Sequence, residues 1–215
     1  MQQILVYGDS LSWGIVPGSR GRHPFAVRWP GRLELRLQES GRDVRIIEDC
    51  LNGRRTVWDD PFKAGRNGLV GLAQRIEVNS PLALVILMLG NNDFQSMHPH
   101  KAWHAAQGVA ALVEEIRRAP IEPGMPAPPI LIVAPPPIGK PAGTMADKFG
   151  GGEIKCVGLG QALAQVADNL DCDFFDAGSV IKSSAVDGVH LDAGEHTRLG
   201  DALIGLVTRL LGPAD

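Results

Sequence analysis

Short apolar runs alternate with longer stretches of helical periodicity along the chain of 215 residues. Each short run is bounded by Gly, Asn or Pro, as β-strands of α/β proteins are. In the run Leu82 to Leu89 both alternating sets of side chains are apolar, which is typical of a central parallel strand covered on both faces. The predicted strands are Gln3 to Tyr7, Val44 to Glu48, Leu82 to Leu89, Ile130 to Ala134 and Cys172 to Phe175.

The stretches between these runs have the spacing of amphipathic helices. Pro30 suits a first helical position and Gly41 suits the cap that follows a last turn. Strands alternating with helices predict a doubly wound α/β fold, with a parallel sheet of about five strands flanked by helices, in a single domain over residues 1–215. The predicted helices are one that begins at Pro30 and is capped by Gly41, Leu69 to Val78, Pro99 to Arg118, Ile154 to Leu170 and Glu195 to Leu211.

Composition narrows the possible partners and cofactors. With 44% apolar residues, 21% charged residues and a net charge of −3, the chain is expected to be globular and to bind neither nucleic acid nor a membrane. Its three cysteines, Cys50, Cys156 and Cys172, are far apart, so we expect neither a disulfide framework nor a zinc cluster and favour a reducing cytoplasm. The first apolar stretch is too short for a signal peptide or a membrane span.

Chemistry-bearing residues follow the predicted strands. Ligands of open α/β sheets bind outside the carboxyl ends of the strands, so side chains at these positions are expected to meet at one edge. A hydroxyl, a glycine amide, a carboxamide and an Asp/His pair are the parts that an acyl-transfer site needs. The segments are Gly8-Asp9-Ser10-Leu11, Leu51-Asn52-Gly53, Gly90-Asn91-Asn92-Asp93 and Asp187-Gly188-Val189-His190.

These segments predict a serine nucleophile with its supporting groups. Ser10 needs a base to remove its proton during attack, and the imidazole of His190 can serve. Asp187, three residues earlier, is expected to orient that ring. The backbone N–H groups of Ser10 and Gly53 and the side-chain NH₂ of Asn92 are the candidate donors to an oxyanion.

The four segments resemble the blocks of the SGNH hydrolases, also called GDSL esterases. Ser10 matches the block I serine, Gly53 the block II glycine, Asn92 the block III asparagine, and Asp187 with His190 the block V pair. The resemblance spans nearly the whole chain and implies the flavodoxin-like fold of that family. Further sequence segments resemble the bacterial arylesterase and acyltransferase branch of this family. They are Gly8 to Gly14, Val27-Arg28-Trp29, Asp59-Asp60-Pro61 and Phe175 to Val180.

The resemblance implies a cofactor-free esterase acting on small esters with short acyl groups, such as acetylated sugars or aryl acetates. The resemblance to that branch also implies a homo-oligomer and acyl transfer to alcohols beside hydrolysis. The chain departs from the family's pattern at Ile15, Asn52 and Arg55. A thioesterase or lysophospholipase of the same family, and a flavodoxin-like binding module without catalysis, are the alternative functions.

Several further residues are open to two interpretations. Trp13, Ile15, Phe149 and Val189 flank the chemical segments, so each either lines a substrate pocket or packs in the core. The Pro-rich stretches 122–129 and 135–144 either shape a site or act as stiff connectors.

The remaining histidines are not expected to be catalytic. His100 and His104, with His98 before them, have a spacing that can bind a metal, but no acidic ligand accompanies them, so a solvated helix start and no metal site are predicted. His196 is predicted to lie on a helix surface.

Overall fold

The computed structural model describes residues 1–213 and contains the predicted five-stranded parallel sheet. Residues 214 and 215 of the predicted domain lie outside the described residues. The spatial order of the strands is β2-β1-β3-β4-β5, the doubly wound order in which the connections change direction between β1 and β3. The strands are β1 (Gln2–Gly8), β2 (Val44–Cys50), β3 (Leu84–Met88), β4 (Ile130–Ala134) and β5 (Asp173–Asp176).

Within residues 1–213, helices connect the strands, and three single 3₁₀ turns follow a strand or precede a helix. The turns are Asn91–Phe94, Gly143–Met145 and Ala177–Ser179. The helices are α1 (Ser10–Trp13), α2 (Trp29–Glu39), α3 (Leu72–Asn79), α4 (Ala102–Arg118), α5 (Ala146–Phe149), α6 (Gly152–Lys155), α7 (Leu159–Asn169) and α8 (Ala193–Leu210).

Two apolar layers cover the sheet. In β3, Val85 and Leu87 pack under α3, α4 and α7, while Leu84, Ile86 and Met88 pack under α2 and α8. This alternation explains why both sets of side chains in the central run are apolar. The carboxyl ends of β1 and β3 lie side by side, and this edge carries the site.

Two departures from the predicted helix bounds have a clear structural cause. Helix α4 begins at Ala102 rather than at Pro99, because the His104 ring accepts a hydrogen bond from the N–H of Lys101 at 3.1 Å and caps the helix there. The predicted helix 154–170 is two helices, because Gly158 has a φ of 85° and breaks it. The short helices α1 and α5 were not predicted.

The second Pro-rich stretch braces the loop that carries Asp187 and His190. The N–H of Gly139 donates to the carbonyl of Gly188 at 2.8 Å, and the N–H of Ala142 donates to the carbonyl of Asp187 at 3.1 Å. The stretch 135–144 therefore shapes the site rather than only connecting elements. Among residues 1–213, no helix is both long enough and apolar enough to cross a membrane.

Candidate active site

Ser10 lies at the first position of α1, and one residue separates it from the end of β1. Asp9 caps this helix by accepting a hydrogen bond from the N–H of Leu11 at 2.9 Å. Gly14 ends it in the left-handed conformation, with φ at 87°, and donates to the carbonyl of Ser10 at 3.1 Å. The tight strand-to-helix turn aims the Ser10 hydroxyl out of the edge of the sheet.

His190 lies between β5 and α8, in a loop folded around the carboxylate of Asp187. Oδ1 of Asp187 accepts hydrogen bonds from the N–H groups of Val189 and His190, both at 2.9 Å. Gly188, between Asp187 and Val189, has a φ of 77°, a conformation that favours glycine. These hydrogen bonds come from the backbone of the loop, so they fix the loop independently of the side chain of His190.

The Ser10, His190 and Asp187 side chains form one hydrogen-bonded chain. The hydroxyl of Ser10 lies 3.2 Å from Nε2 of His190, and Nδ1 of His190 lies 2.7 Å from Oδ2 of Asp187. Burial opposes the ionisation of Asp187, but the hydrogen bonds from His190 and Val189 hold its pKa below the ordinary 3.8. An ionised Asp187 keeps the proton of the neutral ring on Nδ1 and leaves Nε2 free to accept the proton of Ser10.

A narrow cleft of about 40 Å³ opens beside Ser10, and the predicted residues meet there. Its lining includes Ser10, Gly53, Asn92 and His190, whereas Asp187 lies behind the ring of His190. The loops after β1, β2 and β3 and the loop before α8 thus converge as the order of the strands predicts.

Two of the four predicted substrate-lining residues line the cleft, namely Ile15 and Phe149. Val189 does not line it, because its side chain is buried in the core layer formed with α3, α4 and α7. Trp13 does not line it either, because its ring packs against the opposite core layer and beneath the guanidinium of Arg22.

Three N–H donors border the cleft. Gly53 has a φ of 84°, a conformation that L side chains rarely adopt. Within residues 1–213, the backbone N–H groups of Ser10 and Gly53 donate to no acceptor of the protein. The amide of Asn92 uses one N–H to donate to Asp9 at 2.8 Å, which leaves its second N–H for a bound group.

Asp9 connects the segment that follows β1 with the segment that follows β3. Its carboxylate accepts from the N–H of Leu11 on the β1 side and from the side chain of Asn92 on the β3 side. Burial raises the pKa of Asp9 to about 6, against the lowering by the hydrogen bond from Leu11 and by nearby His190. The sequence places Asp9 inside the motif, but nothing in the motif itself assigns it this contact.

A buried chain of hydrogen bonds behind Asn92 was not predicted. Nη2 of Arg55 donates to Oε1 of Gln95 at 2.6 Å, and Nε2 of Gln95 donates to Oδ1 of Asn92 at 2.8 Å. The only sequence signal for it is that Gln95 follows Asn92 by three residues, the repeat of the 3₁₀ turn that contains Asn92 and that Gln95 caps.

Asp93 joins the Gly53 loop to the Asn92 loop. Its carboxylate accepts from the backbone N–H of Thr56 at 3.0 Å and from the hydroxyl of the same residue. Burial raises the pKa of Asp93 to about 6, although both hydrogen bonds from Thr56 lower it.

The prediction that His196 lies on a surface is wrong. The residue is 0% exposed, because it is on the face of α8 that packs against α2. The N–H of Trp29 donates to its Nδ1 at 3.3 Å, and its ring packs edge-on against His23 at 5.1 Å. Burial lowers the pKa of His196 to about 3, so the ring is neutral.

The prediction of a solvated helix start is also wrong for His100, whereas His98 and His104 are half-buried. His100 precedes α4 and is buried, with its ring stacked on that of His98 at 4.9 Å and tilted against that of Trp58 at 4.1 Å. Burial and the neighbouring rings of His98 and His104 lower the pKa of His100 to about 4. Among residues 1–213, no group of three potential ligands is arranged to hold a metal ion.

Comparisons with known proteins agree with this site. The model of the GDSL-like lipase/acylhydrolase family matches residues 6–198. A carbohydrate acetylesterase family member from Sinorhizobium meliloti is 38% identical and has a TM-score of 0.92, with 99% of this chain and 100% of that chain covered. Est24, a carbohydrate acetylesterase from the same species, is 35% identical with a TM-score of 0.91, covering 98% and 100%.

An aryl esterase is equally similar. The native aryl esterase of M. smegmatis is 36% identical and has a TM-score of 0.90, with 98% of this chain and 100% of that chain covered. No curated protein sequence matches this chain.

Proposed function

Because this chain belongs to the GDSL-like lipase/acylhydrolase family and is a carboxylic ester hydrolase of the SGNH fold, we propose that Ser10 is its nucleophile, activated by His190 and Asp187. The observation that carries the proposal is the chain of hydrogen bonds from Ser10 to Asp187 through both ring nitrogens of His190. The Ser10 end of this chain of hydrogen bonds lines a cleft that a substrate can enter. Family membership also weighs against the alternative of a binding module without catalysis.

The first half of the reaction acylates the enzyme. Oγ of Ser10 attacks the ester carbonyl carbon while its proton moves to Nε2 of His190, and the carbonyl π electrons move onto the oxygen. The tetrahedral intermediate collapses, the bond to the alcohol oxygen breaks, and His190 returns the proton to that oxygen. Water then repeats the sequence as nucleophile, which releases the acid and restores Ser10.

The N–H groups of Ser10 and Gly53 and the free N–H of Asn92 are proposed to bind the oxyanion. Their positions around one cleft, with no competing acceptor in the described residues for the two backbone groups, support this role. Removing one such donor typically raises the barrier by about 2.7 to 4 kcal/mol.

The proposed substrates are esters of small acyl groups, acetyl above all, with an aryl or carbohydrate alcohol. The volume of the cleft, about 40 Å³, supports a small acyl group bordered by Ile15 and Phe149. The similar structures include a carbohydrate acetylesterase family member and an aryl esterase, which supports these two kinds of alcohol portion. Transfer of the acyl group to an alcohol in place of water is a further proposal, tested by adding methanol and measuring methyl acetate.

Assembly and cellular context are also proposed. Homo-oligomers are supported by large apolar side chains on the surface, such as Phe62 at 82% exposure and Trp103 at 64%, and light scattering of the purified protein tests them. We propose that residues 1–215 act as one catalytic domain in the cytoplasm, where the free thiols of all three cysteines stay reduced. Fractionation of cells expressing the full chain tests the location.

The decisive experiment is hydrolysis of p-nitrophenyl esters from acetate to long acyl chains. Wild type should turn over acetate fastest, and Ser10→Ala and His190→Ala should each lower kcat by at least about 10⁴-fold. A fluorophosphonate should label Ser10, as read by mass spectrometry of the peptide that contains it.

Matched substitutions away from the cleft serve as controls. Ser40→Ala and His104→Ala remove the same groups from exposed or helix-start positions and should retain wild-type rates. Full activity in Ser10→Ala would refute the assignment of the nucleophile. A preference for thioesters or lysophospholipids over acetate esters would favour the alternative activity of the same family.

A further inference from the structure

Three cations surround the mouth of the cleft although the protein as a whole has a net charge of −3. They are Arg20, Lys63 and Lys148, here called the cationic rim. Each comes from a different segment of the chain, so the rim is a product of the fold rather than of a basic run in the sequence. Arg20 and Lys63 are exposed and Lys148 is half-buried.

The charge of the rim is not compensated within residues 1–213. None of its three side chains forms an ion pair with a described carboxylate. Asp60 also lines the cleft, but its Oδ2 pairs with Nη1 of buried Arg55 at 2.8 Å. The charges of Asp60 and Arg55 cancel each other. The three positive charges of the rim therefore face the entrance without compensation.

The backbone positions of the three rim residues are defined by the turns and the helix that carry them. Arg20 has a φ of 60°, a conformation that glycine adopts without strain, yet an arginine occupies this turn. Oδ1 of Asp60 accepts from the N–H of Lys63 at 3.1 Å and so fixes that turn. The carbonyl of Lys148 accepts from the N–H of Ser96 at 2.8 Å, which anchors α5 beside the cleft.

The three cations are near enough to affect one another. Burial lowers the pKa of Lys148, and the charges of Arg20 and Lys63 lower it further, while Asp60 raises it. Confining like charges in this way is unfavourable in the free protein. A bound anion would relieve the repulsion, because opposite charges attract strongly where water is partly excluded.

We infer that the preferred substrates are acetyl esters whose alcohol portion carries an anionic group, a carboxylate or a phosphate, which binds the cationic rim. The inference rests on the proposed function. The rim residues line the same narrow cleft as Ser10, so an ester with its carbonyl at Ser10 has its alcohol portion within reach of the rim. Guanidinium and ammonium groups are the side chains that bind carboxylate and phosphate.

The test compares three aryl acetates: 4-acetoxybenzoate, 4-acetoxyphenyl phosphate and the neutral methyl 4-acetoxybenzoate. The quantity measured is the ratio of kcat/KM for each anionic ester to that for the neutral ester. Intrinsic reactivities of the leaving groups cancel when this ratio is compared between variants. Lys63→Gln and Lys148→Gln should each lower the ratio about threefold, and the double variant about tenfold, as expected for partly exposed charges.

Salt and a distant lysine provide the controls. Raising ionic strength from about 0.05 to 0.5 M should weaken the anionic preference of wild type more than that of the double variant, which keeps only Arg20 of the rim. Lys182→Gln, an exposed lysine outside the cleft, should keep the wild-type ratio. The larger effect among the two anionic esters identifies the preferred group, and an effect on either supports the inference.

The outcomes distinguish a failure of this inference from a failure of the proposed function. Hydrolysis of the neutral ester with ratios that are equal in wild type, both lysine variants and the Lys182→Gln control would overturn the anionic preference and leave the esterase intact. Wild-type protein that hydrolyses none of the three esters would overturn the proposed function and the inference together.

Discussion

Gln95 holds the amide of Asn92 from behind: its Nε2 donates to Oδ1 of Asn92 at 2.8 Å, while its Oε1 accepts from Arg55 at 2.6 Å. This contact sets which end of the Asn92 side chain faces the cleft. With Oδ1 turned towards Gln95, the NH₂ group faces Asp9 and the cleft. Gln95 is therefore a positioning residue for the proposed oxyanion donor.

Gln95→Glu tests this relationship. The carboxylate of Glu can still accept from Arg55 but cannot donate to Asn92, so the amide of Asn92 loses its orientation. We expect kcat for p-nitrophenyl acetate to fall about tenfold with little change in KM, since the lost contact acts in the transition state. Circular dichroism and the melting temperature show whether the variant is folded.

Asn92→Ala is the matching substitution at the donor itself, and kcat should fall about 10² to 10³-fold. The double variant with Gln95→Glu should be no slower than Asn92→Ala alone, because Gln95 acts through Asn92. Additive losses in the double variant would show instead that Gln95 affects the rate by a separate route.

The sheet could be predicted from the sequence, whereas these contacts could not. The strand Ile130–Ala134 has its predicted bounds because burial on both faces of a parallel strand leaves a continuous apolar run. The proposed site residues likewise meet because each lies in a segment that follows a strand at the same edge of the sheet. They are Ser10, Gly53, Asn92 and His190. The contacts of Gln95 and the cationic rim depend on side-chain direction and on loops distant in sequence, which no local pattern encodes.

The same reasoning explains the wrong prediction for His196. A histidine in the first turns of an amphipathic helix has no local signal for burial, because its polarity fits a surface equally well. The structure buries it between α8 and α2, where its Nδ1 accepts the N–H of Trp29 at the start of α2.

Gly188→Ala should disrupt the loop of Asp187 and His190. A Cβ at this position would lie 2.2 Å from the carbonyl oxygen of Lys140, and the φ of 77° is strained for alanine. Because the obstructing atoms are backbone, we expect a loss of at least about 2 kcal/mol in the free energy of unfolding, together with a lower kcat. Urea unfolding and the p-nitrophenyl acetate assay measure the two effects.

Gly205→Ala is the matched control for that variant. Gly205 lies within α8 with no atom near the position of a new Cβ, so alanine should stabilise the protein by about 0.5 to 1 kcal/mol. A Gly188→Ala variant as stable and active as wild type would contradict the tight approach of the stretch 135–144 to this loop.

Asp93 should make the protein less stable as the pH rises. Its pKa is about 6 in the folded protein, because burial disfavours the charge, and about 3.9 in the unfolded chain. Between these values the folded state binds a proton that the unfolded state has lost, so the contribution to stability is complete below about pH 4 and is lost as the pH rises through 6. Asp9 acts in the same direction.

Asp93→Asn removes this dependence, since an amide cannot ionise and the hydroxyl of Thr56 can rotate to accept from it. The free energy of unfolding from urea titrations at about pH 5, 6 and 7 should therefore decrease less with pH in the variant than in wild type. Asp147→Asn, at an exposed position, should follow the wild-type curve. Parallel curves for Asp93→Asn and wild type would mean that Asp93 is ionised throughout this range, with Thr56 and the nearby charge of Arg55 outweighing its burial.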